Sequence, residues 1–186
     1  DRADPAKLDP DGAAQRKDAV QARAEFDAQP DLRASDGQYK ALLSPQTRAL
    51  LERGAQFDIP DDVIEEQQVD AGKIVHGFEQ GKPLFLLASE AGSGKTFVLG
   101  AAMREILARA PQTRFVYVTL RQSLINQISK DLADYGVVDS IDFVTYNKLA
   151  KGVPETSGAD TVVIADEAHS AKNPESKSGA VLAQLA

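Results

Sequence analysis

A single stretch limits the possible folds of this chain more than any other feature. It reads LFLLASEAGSGKTFVLG, from Leu84 to Gly100, and passes from a short apolar run through two closely spaced glycines to a lysine and a threonine. A short uninterrupted apolar run is typical of a strand buried in a parallel sheet, and the residues after the lysine continue as a helix. A strand joined to a helix by a glycine loop predicts an α/β fold.

Strand-like and helix-like segments alternate along the rest of the chain. The runs RFVYVT, IDFVTY and DTVVIADEAH are predicted to be three further strands, with helical segments between them. One of these segments, residues 121–136, places Leu124, Ile128 and Leu132 on one helix face and ends at Gly136. This alternation predicts an α/β domain with a mainly parallel sheet.

The first part of the chain has a different composition. Residues 1–45 are expected to be peripheral, because their opening is charged and interrupted by prolines and the helix after it has few apolar residues. Residues 1–66 contain 15 acidic and 9 basic side chains, whereas residues 67–186 contain 13 and 12. We therefore predict an acidic, Ala-rich, helical and flexible segment over residues 1–60 and one α/β domain over residues 61–186.

Composition excludes several classes of protein. The chain has no cysteine and only two histidines, which excludes disulfides, thiolate metal sites and a histidine-rich metal centre. Its longest uncharged apolar run, residues 97–103, is too short to span a bilayer, and the acidic start is not a signal peptide. These features predict a cytoplasmic protein that is not secreted. The nearly neutral charge of residues 67–186 argues weakly against avid, non-specific nucleic-acid binding.

The glycine loop has the composition of a phosphate-binding site. Gly92 and Gly94, with Ser93 between them, can turn their backbone N–H groups inward, and the following helix directs its positive end at an anion. Lys95 would then reach the β- and γ-phosphates of ATP, and the Thr96 hydroxyl would ligate Mg²⁺. A serine stands where the usual G-x-x-x-x-G-K-[ST] pattern begins with glycine. The alternative is a strand-to-helix turn with a chance lysine.

A pair of carboxylates completes the predicted nucleotide site. Asp166 and Glu167 follow an apolar run and are therefore expected at the carboxyl edge of the sheet, where ligands bind in open α/β folds. Hydrolysis of a γ-phosphate needs one carboxylate on the metal and a second group that orients or deprotonates water. Asp166 fits the first role and Glu167 the second.

The two motifs together resemble those of superfamily 2 helicases and translocases. The first motif is Gly92 to Thr96, and the second is Asp166-Glu167-Ala168-His169. The segment that begins with the second motif, DEAHSAKNPESKSGAVL, is similar to that of chromatin-remodeller-like translocases, above all the strawberry-notch group. The resemblance covers about residues 60–186. It implies a RecA-like P-loop NTPase domain, and it implies that His169 couples the nucleotide site to the nucleic acid.

The resemblance also implies three further contacts. The segment EEQQVDAG is similar to the glutamine motif of the family, so Gln68, or its neighbour Gln67, is expected to read the adenine edge with its amide. The segments VTLRQSLINQ and VTYNKLA occupy the places of two motifs that touch the nucleic-acid backbone. Arg121 and Thr145 are therefore candidate phosphate contacts.

Two parts of the family fold are missing from this sequence. The strand that carries a Ser-Ala-Thr motif would follow the last helix, and the second RecA-like domain would supply an arginine finger. The sheet is therefore expected to be incomplete at its C-terminus, and the chain is expected to be a piece of a larger protein. On its own it should bind ATP weakly and hydrolyse it poorly.

Three functions remain open from the sequence. The first is the ATP-binding half of an ATP-dependent helicase or translocase that moves on nucleic acid, with DNA favoured over RNA. The second is a docking segment of a giant multidomain protein, such as the phage and plasmid proteins that accompany DNA into a host cytoplasm. The third is another P-loop enzyme. The D-E-A-H box disfavours a kinase, whereas a restriction-type motor cannot be separated from the first function.

Overall fold

The chain divides into two compact units, residues 1–35 and 36–186. Apart from Ser35, the computed structural model describes residues of the second unit only. Within the described ranges, no helix has the length and apolar character that a membrane span requires. The described residues are 35–53, 59–82, 94–149, 151 and 161–166.

Helices precede the sheet and then alternate with its strands. A 3₁₀ turn, Val138–Ser140, leads into the second strand, and the strand predicted at residues 83–88 lies outside the described residues. The predicted alternation of strands and helices is confirmed for the described residues between 95 and 165, whereas the helix predicted after the acidic motif lies outside the described residues. The elements in chain order are α1 Asp36–Ala41, α2 Pro45–Glu52, α3 Asp61–Glu79, α4 Lys95–Arg109, β1 Arg114–Thr119, α5 Gln122–Ala133, β2 Ile141–Thr145, α6 Tyr146–Leu149 and β3 Thr161–Ala165.

The three described strands form a parallel sheet in the order β2-β1-β3. Phe115 of the central strand lies opposite Ile141 on one side and Val162 on the other. From Phe115 onward β1 is buried, as expected for a strand with neighbours on both edges and apolar packing on both faces. The predicted α/β class with a parallel sheet is therefore confirmed.

Side chains of β1 alternate between two apolar clusters. Phe115 and Tyr117 face the larger cluster, which α3, α4 and α5 help to form, whereas Val116 and Val118 face a smaller one around β2 and α6. This follows from the period of two in a strand, which sends successive side chains to opposite faces. Thr119, two residues after Tyr117, belongs to the same face as Tyr117.

The two short helices before α3 are part of the core, which corrects, for residues 36–45, the expectation that residues 1–45 are peripheral; residues 1–34 lie outside the described residues. Tyr39 of α1 is 3% exposed and Leu43 is 2% exposed. A Cβ placed on Gly72 of α3 would lie 2.2 Å from the Tyr39 carbonyl oxygen, so only glycine allows α1 to approach α3 this closely. The sequence did not indicate this burial, because α1 has only six residues and one buried side chain, Tyr39.

A buried carboxylate joins α2 to α4. Glu105 Oε1 accepts hydrogen bonds from the Ser44 N–H at 2.8 Å and from the Thr47 hydroxyl at 2.6 Å, while Arg109 donates to Oε2 at 2.8 Å. Burial opposes ionisation of this group. The hydrogen bonds from Thr47, Ser44 and Arg109 outweigh that effect and lower the pKa of Glu105.

The buried face of α5 differs in one residue from the predicted one. Ile125, Ile128 and Leu132 are buried, whereas Leu124 is 38% exposed. At 100° per residue, positions spaced by four drift about 40° around the helix at each step. Leu124 has therefore rotated out of the stripe, and Ile125 occupies the buried position instead. The helix ends at Ala133, three residues before the predicted stop, and the turn after it contains Gly136 with φ 68°.

Candidate nucleotide site

The helix α4 begins at the predicted phosphate loop. Gly94 is its N-cap residue and has φ 81°, in the left-handed region that glycine adopts most readily. Lys95 and Thr96 form the first turn and are partly buried. The 15-residue helix therefore directs the positive end of its dipole toward the loop. Gly92 and Ser93, also predicted to cup the phosphates, lie outside the described residues.

A glutamine of α3 lies directly against this loop. A Cβ on Gly94 would be 2.5 Å from the side-chain Nε2 of Gln67. Gln67 is 5% exposed and Gln68 is 7% exposed, but the amide of Gln68 faces Glu52, with Nε2 at 3.4 Å from Oε1. Of the two glutamines considered from the sequence, Gln67 is the one that the structure brings to the glycine loop.

Asp166 lies at the carboxyl edge of the sheet, one residue beyond the Val118–Ala165 pair. Its backbone N–H donates to the Val118 carbonyl at 2.9 Å, and its own carbonyl accepts a hydrogen bond from the Tyr146 hydroxyl at 2.9 Å. Its backbone is thus held by β1 on one side and by α6 on the other. The remaining residues of the acidic motif, Glu167, Ala168 and His169, lie outside the described residues.

The side chain of Tyr117 lies between the first turn of α4 and the end of β3. Its hydroxyl hydrogen-bonds the Thr96 side chain, and the Asp166 carboxylate is close enough to repel a phenolate charge. Burial raises the pKa of Tyr117, Asp166 raises it further, and the hydrogen bond from Thr96 lowers it by a smaller amount. Thr96 and Asp166, which belong to different motifs, therefore both lie near the Tyr117 hydroxyl.

A buried hydroxyl at the same edge is unsatisfied. Thr119 is fully buried, and its Oγ1 has no hydrogen-bond partner among the residues that the structure describes. Because Val118 pairs with Ala165, Thr119 is the neighbour of Asp166 across the strands. An unpartnered polar atom in a native fold calls for a water or ligand, or for a share in function.

The two candidate phosphate contacts also lie at this edge. Thr145 ends β2 opposite Thr119, and its Oγ1 accepts the backbone N–H of Lys148 at 3.3 Å. Arg121 is exposed and is the N-cap residue of α5. Three neighbouring parallel strands therefore end in polar side chains at one edge of the sheet, as expected where ligands bind in α/β folds.

The oxygen donors at the site suit a metal that arrives with its nucleotide. Within the described part of the chain, no group of three or more acidic or histidine side chains could hold a metal by itself. Mg²⁺ keeps several waters and binds through one or two carboxylates together with substrate phosphates. Thr96 and Asp166 offer one hydroxyl and one carboxylate, which fits this mode of binding.

Two tyrosines of the site were not predicted from the sequence. Tyr117 lies within the apolar run RFVYVT, and Tyr146 ends the run IDFVTY, where each was interpreted as one more apolar residue. The available signal was chemical, since a buried tyrosine normally gives its hydroxyl a partner. Which partner it finds depends on contacts between distant segments.

Comparison with known families gives one match. Residues 61–184, about two thirds of the chain, match the family described as type III restriction enzyme, res subunit. The chain belongs to this family, and its domain is of the superfamily 2 helicase class with a RecA-like fold. No curated protein and no solved structure matches it. The match indicates an ATP-dependent, helicase-like domain.

Proposed function

We propose that this chain is the ATP-binding half of a motor that hydrolyses ATP with Mg²⁺ and moves on nucleic acid. The observation that supports this most directly is the approach of Thr96 and Asp166 to the Tyr117 hydroxyl. The two residues come from motifs seventy positions apart, and a glycine turn without nucleotide chemistry gives no reason for them to meet. Family membership points to the same class of activity.

Each residue of the two motifs has a role in this proposal. The backbone amides of Gly92, Ser93 and Gly94 and the Lys95 ammonium hold the phosphates. Thr96 and Asp166 provide the protein ligands of Mg²⁺, which would neutralise charge on the phosphate oxygens.

Two residues of the acidic motif act beside the metal. Glu167 orients the attacking water or accepts its proton. His169 couples the nucleotide site to the nucleic acid. For the adenine edge we retain Gln68 as a candidate, and the contact at Gly94 supports Gln67 as the second.

The nucleic acid is proposed to be DNA, with Arg121 and Thr145 among its phosphate contacts. Both residues lie at the same sheet edge as Asp166, which supports a track that passes beside the nucleotide. A second RecA-like domain would complete the site. We further propose that the protein is cytoplasmic, in a host cell if phage-encoded. We also propose that it is a DEAH-box protein related to the strawberry-notch group, which the similarity of the segment DEAHSAKNPESKSGAVL supports.

The first test compares ATP binding of the wild type with that of Lys95→Ala. The expected result is at least a tenfold weaker binding of a fluorescent ATP analogue with Mg²⁺, because the cation that meets the phosphates is lost. Lys130→Ala is the matched control, since it removes an exposed lysine from the last turn of α5. Equal binding by Lys95→Ala and the wild type would contradict the proposal and favour a docking role.

A further inference from the structure

Two tyrosine hydroxyls approach Asp166 from the two faces of the sheet. We propose that Tyr117 and Tyr146 are positioning residues that hold the metal-binding pair Thr96 and Asp166 in the geometry that magnesium nucleotide requires. This inference rests on the function proposed above. It adds to that function two residues that belong to neither motif.

Tyr146 fixes the backbone of Asp166. It is the first residue of α6, is 6% exposed, and packs in the smaller apolar cluster with Val118. Its hydroxyl donates to the Asp166 carbonyl at 2.9 Å, while the Asp166 N–H donates to Val118. With its N–H and its C=O both bonded, the backbone of the residue directly after β3 is held in place, and with it the Cα–Cβ bond from which the carboxylate extends.

Tyr117 lies near the side chains of Thr96 and Asp166, whereas Tyr146 bonds the backbone of Asp166. It lies opposite Ile164, and Asp166 is two residues further along, so both side chains belong to the same face of the sheet. Tyr117 is 1% exposed, and its ring lies 5.8 Å from the ring of Phe143, which limits its movement. Its hydroxyl therefore stays beside Thr96 and close to Asp166.

The hydrogen bond between Thr96 and Tyr117 also determines which atoms remain for the metal. A threonine hydroxyl has one proton and two lone pairs. If it donates its proton to the tyrosine oxygen, both lone pairs are free to face Mg²⁺. A phenylalanine at position 117 would fill the core equally well, so the hydroxyl is the part of Tyr117 that apolar packing does not explain.

The test measures how much Mg²⁺ strengthens nucleotide binding. A fluorescent ATP analogue is titrated into the chain with Mg²⁺ and again with EDTA, and the ratio of the two Kd values gives the gain due to the metal. We expect Tyr117→Phe and Tyr146→Phe each to lower this gain about three- to tenfold, the usual weight of one hydrogen bond. The Kd in EDTA should stay unchanged in both variants.

The matched control is Tyr135→Phe, which removes the hydroxyl of another buried tyrosine at the end of α5. Its gain from Mg²⁺ should equal that of the wild type. The midpoint of thermal unfolding without nucleotide shows whether each variant is folded to the same extent as this control. A full gain from Mg²⁺ in Tyr117→Phe and Tyr146→Phe would overturn the inference while leaving the proposed ATPase intact.

A double-mutant cycle tests whether Tyr117 acts through Thr96. In the background Thr96→Ala, adding Tyr117→Phe should change the gain from Mg²⁺ no further. Additive losses would show that the Tyr117 hydroxyl does not act through Thr96 and would contradict its positioning role. If the wild type itself binds no nucleotide with Mg²⁺, or if Lys95→Ala binds equally well, the proposed function fails, and this inference fails with it.

Discussion

At the scale of single residues, two buried threonine hydroxyls differ in their hydrogen bonding, one in the link between α2 and α4 and one at the nucleotide site. The Thr47 hydroxyl bonds Glu105 at 2.6 Å, whereas that of Thr119 has no partner among the described residues. Burying a polar group without a partner costs stability, and replacing it with an apolar group of the same shape removes that cost. The two threonines therefore predict opposite effects of the same substitution.

Thr119→Val is expected to raise the free energy of unfolding by about 1 kcal/mol, because a methyl group replaces an unsatisfied hydroxyl. Thr47→Val is the matched control and should lower the free energy of unfolding by about 1–3 kcal/mol, since it removes one of the hydrogen bonds to the buried Glu105 carboxylate. Urea unfolding at neutral pH measures both. A loss of stability in Thr119→Val would mean that its hydroxyl has a partner in the folded protein.

Gly94 predicts a second effect at this scale. Gly94→Ala combines left-handed backbone with a contact of 2.5 Å to Gln67, whereas Gly81→Ala has φ 64° and nothing within 4 Å. We expect Gly81→Ala to lower the free energy of unfolding by about 1 kcal/mol through backbone strain alone. Gly94→Ala should lower it further and weaken ATP binding, which unfolding and titration measure. Equal behaviour of the two variants would show that Gln67 moves aside without cost.

At the scale of elements, the apolar patterns of the sequence were sufficient to predict where the three described strands begin. The three observed strands begin within one residue of the predicted runs, because a buried strand is apolar at nearly every position. β1 and β2 also end within one residue of them, whereas β3 ends at Ala165, four residues before the end of the run DTVVIADEAH. The helix α1 was missed, since its one buried side chain, Tyr39, forms no repeating pattern. Leu124 was placed on the buried face of α5 because apolar residues spaced by four resemble a stripe although they drift around the helix.

The candidate site was predictable to a similar degree. The glycine loop and the acidic motif are local patterns, so Gly94, Lys95, Thr96 and Asp166 could be named from the sequence alone. The approach of Thr96 and Asp166 to Tyr117 joins residues of α4, β1 and the end of β3, and no local pattern encodes such a contact. For the same reason the sequence could not decide between Gln67 and Gln68, which lie next to each other but face different partners.

The link between α2 and α4 predicts a dependence of stability on pH. The pKa of Glu105 lies below its ordinary value of 4.5 in the folded chain. The stabilisation is therefore fully present above pH 4.5 and is lost as the pH falls through the lower, folded-state pKa. Urea unfolding between pH 7 and pH 3 should show this loss. Glu105→Gln should start lower at pH 7 and decline less, and an equal decline would contradict the prediction.

At the scale of the whole molecule, the family match and the compact unit give two different starting points for the α/β domain. The family match begins at residue 61, whereas the compact unit begins at residue 36. The predicted division at residues 60 and 61 stays a prediction. The buried side chains of Tyr39, Leu43 and Leu51 favour a folding unit that includes α1 and α2.

Two deletions distinguish these boundaries. Removal of residues 1–34 should leave the midpoint of thermal unfolding nearly unchanged, because the second unit remains complete. Removal of residues 1–60 should lower the free energy of unfolding by several kcal/mol, since each large buried side chain contributes about 2–5 kcal/mol. Equal stability of the two shortened chains would show that the core does not need α1 and α2.

The hydrogen bond from Tyr146 to Asp166 has a mechanical consequence. It crosses from the end of β2 to the end of β3, past the central strand, and so forms a short tether between the outer strands. Neighbouring strands lie about 4.8 Å apart, so the tether spans about 10 Å of the sheet. A force that pulls on the chain after Thr145 would reach the Asp166 carbonyl through one rigid ring, without unfolding any segment between them.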